Sequence, residues 1–474
     1  MNKANNIDRL MGSESELAIN LFANDEEQGV KTIVNLVINN LDLRITVFEN
    51  NNIDADYYLS TGGRIYPDSE LLETCSPESL GPEEATYTEM VSKRIVLDAL
   101  SRLCQDKSYK FDLFDRVIDQ QSNTWGYHNN YLIEREHYDP GNESIEKDLF
   151  INLMSSHFLS RVIFNGGGLV KKNSGSKKDY HVLAGQKLQT VSTYFENDTV
   201  VDKPLFNIRD KSLANSNNWA RLHDVSGDSN ISPWATWWNK GSTSLLIRLY
   251  ENHKNKEYKI PYIEDPVKAA LSFAKDPSLP FYVNKQQKYS ALDIQECLYN
   301  QCAALAVQTE LPPSELKVLD EWQKAITDYK KNPYLLSNRV DWILKKELIE
   351  RKNLNFRKAQ ILDLEFGRLG SKLTELIQKR NVFPGFDPNK LTSYYSPPTQ
   401  TRAFERVCQL INISSEEEKI TSINWDKINI EVKDINGDES YSISISMDDP
   451  NIIDSVFYGN HSDDYEYWSQ KTTV

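Results

Sequence analysis

The chain is short of sulfur, of basic charge and of long apolar runs, and each shortage removes a class of function. Its five cysteines, Cys75, Cys104, Cys297, Cys302 and Cys408, are odd in number and scattered, with no metal-ligand spacing and no disulfide framework. A reducing cytoplasm is the expected home. With 54 Lys and Arg against 69 Asp and Glu, the formal net charge is −15, the wrong sign for a general nucleic-acid binder, which must offset phosphate. Binding of a nucleotide stays open, because that needs only a local cationic or metal-bearing pocket. No apolar run approaches membrane-spanning length, and the opening Met-Asn-Lys-Ala-Asn-Asn-Ile-Asp carries no apolar signal core. No membrane partner is expected. Internal repeats and long low-complexity segments are also absent, while 474 residues are enough for two or three domains and a large core.

What the chain does have is a dense polar knot between Thr61 and Glu78. These eighteen residues hold one arginine, one tyrosine and four carboxylates, with Gly62 and Gly63 free to turn or to approach a ligand closely. A second acidic pair, Glu14 and Glu16, sits in Gly-Ser-Glu-Ser-Glu-Leu ahead of the strand-like Ala18-Ile19. Residues i and i+2 on a strand share a face. Two carboxylates so placed repel unless a cation lies between them, and oxygen ligands alone suit Mg2+ better than zinc.

Taken in order, the chain opens as strand, helix, strand: the Glu14/Glu16 strand, a helix from Glu26 to Leu41 with Val30, Ile33, Val34 and Val37 on one stripe, then Asp42 to Phe48 with Leu43, Ile45 and Val47 inward. Thr86 to Cys104 has helical spacing, Phe111 to Ile118 suits a strand, and Ile145 to Phe164 reads as a helix stopped by Gly166 to Gly168. Lys171 to Lys178 is a compact basic loop, a solvated turn or a contact for an acidic partner. Trp234, Trp237 and Trp238 suit packing better than ligand stacking, and Ser242 to Tyr250 starts a strand or helix. Ala291 to Arg380 is mostly helical by period, a layer over one sheet face. Beyond about Asn412 the texture changes to short alternating strands, Ile428 to Val432 and Tyr441 to Met447, joined through an Asn436-Gly437 turn. The expected division is therefore 1–411 and a small β-rich domain at 412–474.

The order and spacing of ten short motifs resemble the Pup ligase and depupylase (proteasome accessory factor A) family, relatives of glutamine synthetase. They are Gly12 to Glu16; Gly62-Gly-Arg-Ile-Tyr-Pro-Asp68; Glu73 to Glu78; Gly126-Tyr-His-Asn-Asn-Tyr131; Asn207-Ile-Arg-Asp210; Arg221-Leu-His223 with Gly227 to Asn230; Val340-Asp-Trp-Ile; Asp363-Leu-Glu-Phe366; Pro397 to Ala403; and Asn424-Trp425.

The resemblance implies an α+β, glutamine synthetase-like fold: a curved, mostly antiparallel sheet backed by helices, with a small C-terminal domain completing a nucleotide site. It implies ATP and Mg2+, and as partners a small ubiquitin-like protein modifier and lysine-bearing targets. By matching position Glu14 and Glu73 would be magnesium ligands with Tyr66 near the metals, and Glu16 and Glu78 belong to the same acidic set. Arg64 and Ser76 would contact phosphates, and Trp425 would reach the nucleotide. Arg221, His223 and Arg402 fit phosphate contacts; Arg209, with His128 and Asn130, fits substrate. Asp68 takes the position of the catalytic aspartate. The expected activity is ATP-dependent ligation of the modifier's C-terminal carboxylate to lysine, with a depupylase or deamidase, or a silent modifier-binding homologue, as alternatives.

Three departures from the family pattern stand out. Asn129 replaces a glutamate, an expected loss of one charge from the metal cluster. Lys211 to Leu213 replaces Glu-Pro-His, and Pro67 to Leu72 lacks a histidine before Glu73. The interval from Gly12 to Asp68 is too short for the insertion depupylases carry, which favours a ligase; the five-residue step from Asp68 to Glu73 looks more like a depupylase.

Overall fold

In the computed structural model, residues 7–137, 145–173, 179–196, 203–207, 212–252, 261–283, 287–413, 418–433 and 440–447 are described. The spine is β1, Leu10–Ala23, whose period-two alternation of buried and half-buried residues makes it a strand with two distinct faces. It is followed by α1 (Val30–Asn39), β2 (Val47–Glu49), β3 (Tyr57–Leu59), β4 (Arg64–Asp68), β5 (Leu71–Cys75) and α2 (Gly81–Leu103). Next come β6 (Tyr109–Phe114), β7 (Tyr127–Glu134), α3 (Ile145–Ser160), β8 (Thr193–Glu196), β9 (Pro204–Asn207) and β10 (Trp219–Asp224). These strands share one sheet in the order β8-β9-β10-β7-β1-β5-β4-β3-β2, and β6 pairs with the second half of β1. Only β8 and β9 run parallel among the described pairs of these strands.

Helices cover one face. Met11, Tyr131, Ile133, Ala220 and Leu222 point into a core built with α3, α4 (Pro233–Glu251), α5 (Pro266–Lys275), α6 (Ala291–Gln308), α7 (Pro313–Lys331) and α8 (Asp341–Arg351). Leu17, Leu21, Ile65 and Leu72 join a second core with α1 and α2. Trp234, Trp237 and Trp238 are fully buried in α4, stacked or edge-on to one another, to Trp322 and to Phe383, so they pack rather than bind. Local signals start these helices: the Ser232 hydroxyl caps α4 ahead of Pro233, and Ser290 with Asp293 forms a reciprocal capping box on α6. Two more helices, α9 (Phe356–Glu365) and α10 (Lys372–Arg380), precede α11 (Arg402–Asn412).

After α11 three antiparallel strands, β11 (Glu418–Ile423), β12 (Lys427–Lys433) and β13 (Ser440–Ser446), form a separate small sheet. Its apolar side, Ile423, Ile428, Ile430 and Val432, closes on Phe48 and Tyr58 of β2 and β3. Asn50 stitches the two sheets together through both the N–H and the C=O of Ile423. Among the described residues no helix is long and apolar enough to cross a membrane.

Several expectations need correction. Leu43, expected inward, is fully exposed, and the strand shrinks to Val47–Glu49. The cause is Asp42, whose side chain accepts from the Arg44 backbone and guanidinium and bends the chain before a ladder can form. Ser242 to Tyr250 is the interior of α4. Glu26 and Glu27 pair with β1, so the first helix begins at Val30. The Asn436-Gly437 turn and most of the Lys171 to Lys178 loop lie outside the described residues, although the strands flanking the turn pair in antiparallel register.

Candidate active site

The face of the sheet opposite the helices carries the polar residues, and register alone decides which of them meet. Across the strands, Arg64 lies opposite Cys75, Cys75 opposite Glu14, and Glu14 opposite His128. One pleat further along, Tyr66 lies opposite Glu73, and Glu73 opposite Glu16. Asn130 pairs with His223 on the neighbouring strand. Residues drawn from five strands thus share one face of the sheet.

Glu14 is the centre of the first row. Its Oε1 accepts from Asn130 Nδ2 at 2.9 Å, and its Oε2 lies 3.1 Å from His128 Nδ1 and 3.6 Å from His223 Nε2. Arg221 stands 3.9 Å from Oε1 and donates to Asn130 Oδ1 at 3.0 Å. Burial opposes ionisation of Glu14, but the two imidazoles outweigh it and hold the carboxyl well below the usual range. Burial also pushes the His223 imidazole down to about 4, leaving it neutral at pH 7.

The second row is the opposite case. Glu73 is buried and faces Glu14, Glu16 and Asp68; burial first, then the neighbouring carboxylates, raises its carboxyl well above the ordinary range despite a hydrogen bond with Tyr66. Oxygens of Glu16, Asp68 and Glu73 lie within 4.8 Å of one another, as do donor atoms of Glu14, His128 and His223. A divalent cation suits this site, because Glu73, whose carboxyl resists ionisation among its neighbours, would be stabilised by one, and carboxylate oxygens suit Mg2+. Glu16 is aimed by the Gly126 N–H, which donates to its Oε2 at 2.7 Å.

Beside Glu14 opens a pocket enclosing about 570 Å³, solvent at its mouth included, lined among others by Gly12, Ser76, Arg221, Arg402 and Trp425. The Ser76 hydroxyl accepts the Ser13 N–H at 3.0 Å, and Trp425, between two strands of the small sheet, lines the same pocket. Arg64 stands one strand away. Asp56 holds two of its guanidinium nitrogens at 2.6 and 2.7 Å, and the Tyr66 ring lies 4.2 Å beneath it. Asp68 is exposed at the end of β4, its carboxylate touched by Ser69.

Two expectations do not survive this geometry. Glu78 does not join the metal cluster, because Arg402 Nε takes its Oε1 at 2.8 Å and Arg406 takes both oxygens. Asn129 removes no charge from the cluster, because it points to the helix side, where it accepts from Lys240 Nζ at 2.7 Å. The alternation of β7 explains this: His128 and Asn130 share the open face and the residue between them cannot. Arg209 lies outside the described residues. Reading the sequence missed Asp56, Lys187 and Arg406, and it named Gly126 only as the start of a motif, without its contact to Glu16.

The Glu78 pair makes an acid-stability prediction. Burial alone would raise this carboxyl, but Arg406 and Arg402 outweigh it and hold it at about 2, below the ordinary 4.5. A depressed folded-state value means the contribution is present above about pH 4.5 and fades as pH falls toward about 2, on the order of 3 kcal/mol in all. Urea unfolding of Glu78→Gln across that range should show a flatter acid limb than the parent chain; an identical slope would contradict the assignment.

Comparison with known proteins shows the family and the fold. The family described as Pup-ligase protein matches residues 9–429. A depupylase of Acidothermus cellulolyticus is 25% identical over 395 residues, covering 79% of this chain and 75% of that protein. A Pup–protein ligase of Bifidobacterium longum subsp. infantis is 26% identical over 378 residues, covering 73% and 74%, and a Pup deamidase/depupylase of Mycolicibacterium smegmatis is 24% identical over 398, covering 81% and 76%. Among solved structures, the ligase PafA in complex with the prokaryotic ubiquitin-like protein Pup has a TM-score of 0.76 at 19% identity, covering 98% of this chain and 93% of that one. PafA in complex with ADP has a TM-score of 0.70 at 20% identity, covering 89% and 91%. The fold is PafA-like, relatives at this similarity carry both the ligase and the depupylase name, and the chain belongs to the Pup-ligase protein family.

Proposed function

We propose that this chain is an ATP- and Mg2+-dependent ligase that activates the C-terminal carboxylate of a Pup-like modifier and joins it to a lysine of a target protein. The observation that carries the reading is the convergence of Glu14, Glu16, Glu73 and Asp68 on one face of the sheet, beside a pocket that gathers Ser76, Arg221, Arg402 and Trp425. A carboxylate is a poor electrophile, so the γ-phosphoryl of ATP must first be transferred to it. Bound Mg2+ would supply charge neutralisation on the phosphate oxygens. Glu14, Glu16 and Glu73, with Tyr66 bonded to Glu73, are the residues that would hold it. Arg64 and Arg221 would face the phosphates, since fixed cations in a dry site stabilise charge as it gathers. Trp425 would cover the nucleotide from the small sheet. His128 and Asn130 lie on the same face and would meet the modifier's end.

Asp68 is the proposed catalytic base. A lysine amine is protonated in water at neutral pH and must lose a proton before it attacks. An exposed carboxylate at the rim of the acidic row is placed to take that proton from an incoming side chain. We also propose the two-part organisation 1–411 and 412–474, the break falling at the end of α11. The short Gly12 to Asp68 interval favours ligation; depupylation or deamidation on the same face is the second reading, favoured by the five-residue step to Glu73.

Incubation with ATP, Mg2+, Pup ending in glutamate and a lysine-bearing protein tests this. Pup-dependent ADP release with an isopeptide conjugate supports ligation. Cleavage of a preformed conjugate without conjugation would replace it with the hydrolytic reading, and binding without either reaction would make the chain a silent homologue.

A further inference from the structure

Glu16 is held by a single peptide unit, and the other end of that unit is held by a buried lysine. The Gly126 N–H donates to Glu16 Oε2 at 2.7 Å, and the Trp125 carbonyl, across the same peptide bond, accepts from Lys187 Nζ at 2.7 Å. The Glu16 backbone returns a hydrogen bond to the Gly126 carbonyl at 3.1 Å, so the loop is tied to β1 from both sides. Lys187 has a fixed base. Its own N–H and that of Gln186 grip the buried Asp228 at 2.7 Å each, and Gln186 Nε2 bonds the Gly168 carbonyl at 2.7 Å. The lysine is 8% exposed, and the charged groups facing it are Glu16, Asp228 and Lys203. A Cβ on Gly126 would stand 2.5 Å from Glu16 Oε1 and 2.7 Å from His128 Nε2, so any side chain there displaces one or both.

We infer that Lys187 is a positioning residue of the carboxylate cradle, acting through the Trp125–Gly126 peptide to set where Glu16 stands and how tightly the cradle holds a divalent ion. An ammonium on a carbonyl polarises the peptide and strengthens donation from the N–H at its other end. The same positive charge also faces Glu16, the cradle carboxylate among the charged groups around it. Residues that orient metal ligands from outside typically change metal affinity by about 10–100-fold when removed.

This inference rests on the metal-cradle reading above, and the test separates the two. Mn2+ is titrated into the full chain without nucleotide and followed by electron paramagnetic resonance, for the parent, Lys187→Met, Lys187→Arg and Gly126→Ala. Met keeps the apolar stem of Lys187 while deleting the charge. The expected result is an affinity at least about tenfold weaker for Lys187→Met, largely restored in Lys187→Arg, and weakened again in Gly126→Ala, where Lys187 is intact. Parent-like affinity in Lys187→Met overturns the inference and leaves the cradle standing. Equal weakening in the Met and Arg variants overturns it as well, because charge would then not be the cause. Should Lys187→Met fail to fold, parent-like affinity in Gly126→Ala is the overturning result. A parent chain that binds no Mn2+ overturns the cradle and the inference together.

Discussion

Replacing Asp68 by Ala is expected to cut conjugation by about 10²–10⁴-fold while nucleotide binding stays at the parent level. The size follows from the role: a positioned base contributes roughly 10²–10⁴-fold, and the two carboxylates grouped with it are already engaged. Glu16 is held by the Gly126 N–H, and Glu73 is buried behind Tyr66. Nucleotide binding should survive because Asp68 does not line the pocket that Trp425 and Arg402 share with Ser76. Folding should survive too. Asp68 is exposed and accepts a hydrogen bond from adjacent Ser69, and such surface changes stay within about 0.5 kcal/mol. Conjugate formation, calorimetric ADP affinity and urea unfolding measure the three together. Parent-level conjugation in this variant would remove Asp68 from the reaction.

The largest expected effect on stability comes from beneath the sheet. Lys240 Nζ lies 2.9 Å from Glu89 Oε2 and donates to Asn129 Oδ1, while Lys93 joins Glu89 to Asp115 at 2.7 Å each and the Tyr127 hydroxyl donates to Glu89. Every one of these side chains is buried, and the two ammoniums balance the two carboxylates. Burial opposes ionisation of Glu89, but Lys240 and Lys93 outweigh it and hold the carboxyl at about 2. Lys240→Met leaves Glu89 with one ammonium for a site built around two, and breaking a buried pair by removing one partner costs about 3–5 kcal/mol. Urea unfolding should show a loss of that order; a loss under about 1 kcal/mol would mean water already reaches the network. The same network explains Asn129, since a neutral amide adds no third carboxylate to a set that already closes.

What could be read from the sequence divides along the range of the interactions. The strand-like Ala18-Ile19 after Glu14 and Glu16 announces a strand and puts the two carboxylates on one face, because strand geometry needs no distant partner. The same rule, applied to His128, Asn129 and Asn130, would have placed Asn129 on the helix side, so that error was avoidable. Leu43 failed for a local reason, an Asp42 turn that apolar alternation cannot register. Glu78 failed for a distant one. Its partner Arg406 is 328 residues away, and nothing near either residue marks the pair. Asp56 and Lys187 were invisible in the same way: each looks like an ordinary charged residue until the fold sets it against Arg64 or the Trp125 carbonyl. The roles proposed for Asp68, Ser76 and Trp425 come only from the family resemblance, since an aspartate after Tyr-Pro has no chemistry of its own.

The most direct test of the central claim is trapping of the activated acid. The chain is incubated with ATP, Mg2+ and Pup ending in glutamate, with hydroxylamine in place of a target lysine, and the modifier's C-terminal peptide is analysed by mass spectrometry. If the acidic face drives phosphoryl transfer onto the carboxylate, a hydroxamate should form there in step with ADP, and neither should appear with Glu73→Gln. Unmodified Pup after prolonged incubation with the parent chain, with no ADP released, would contradict the account.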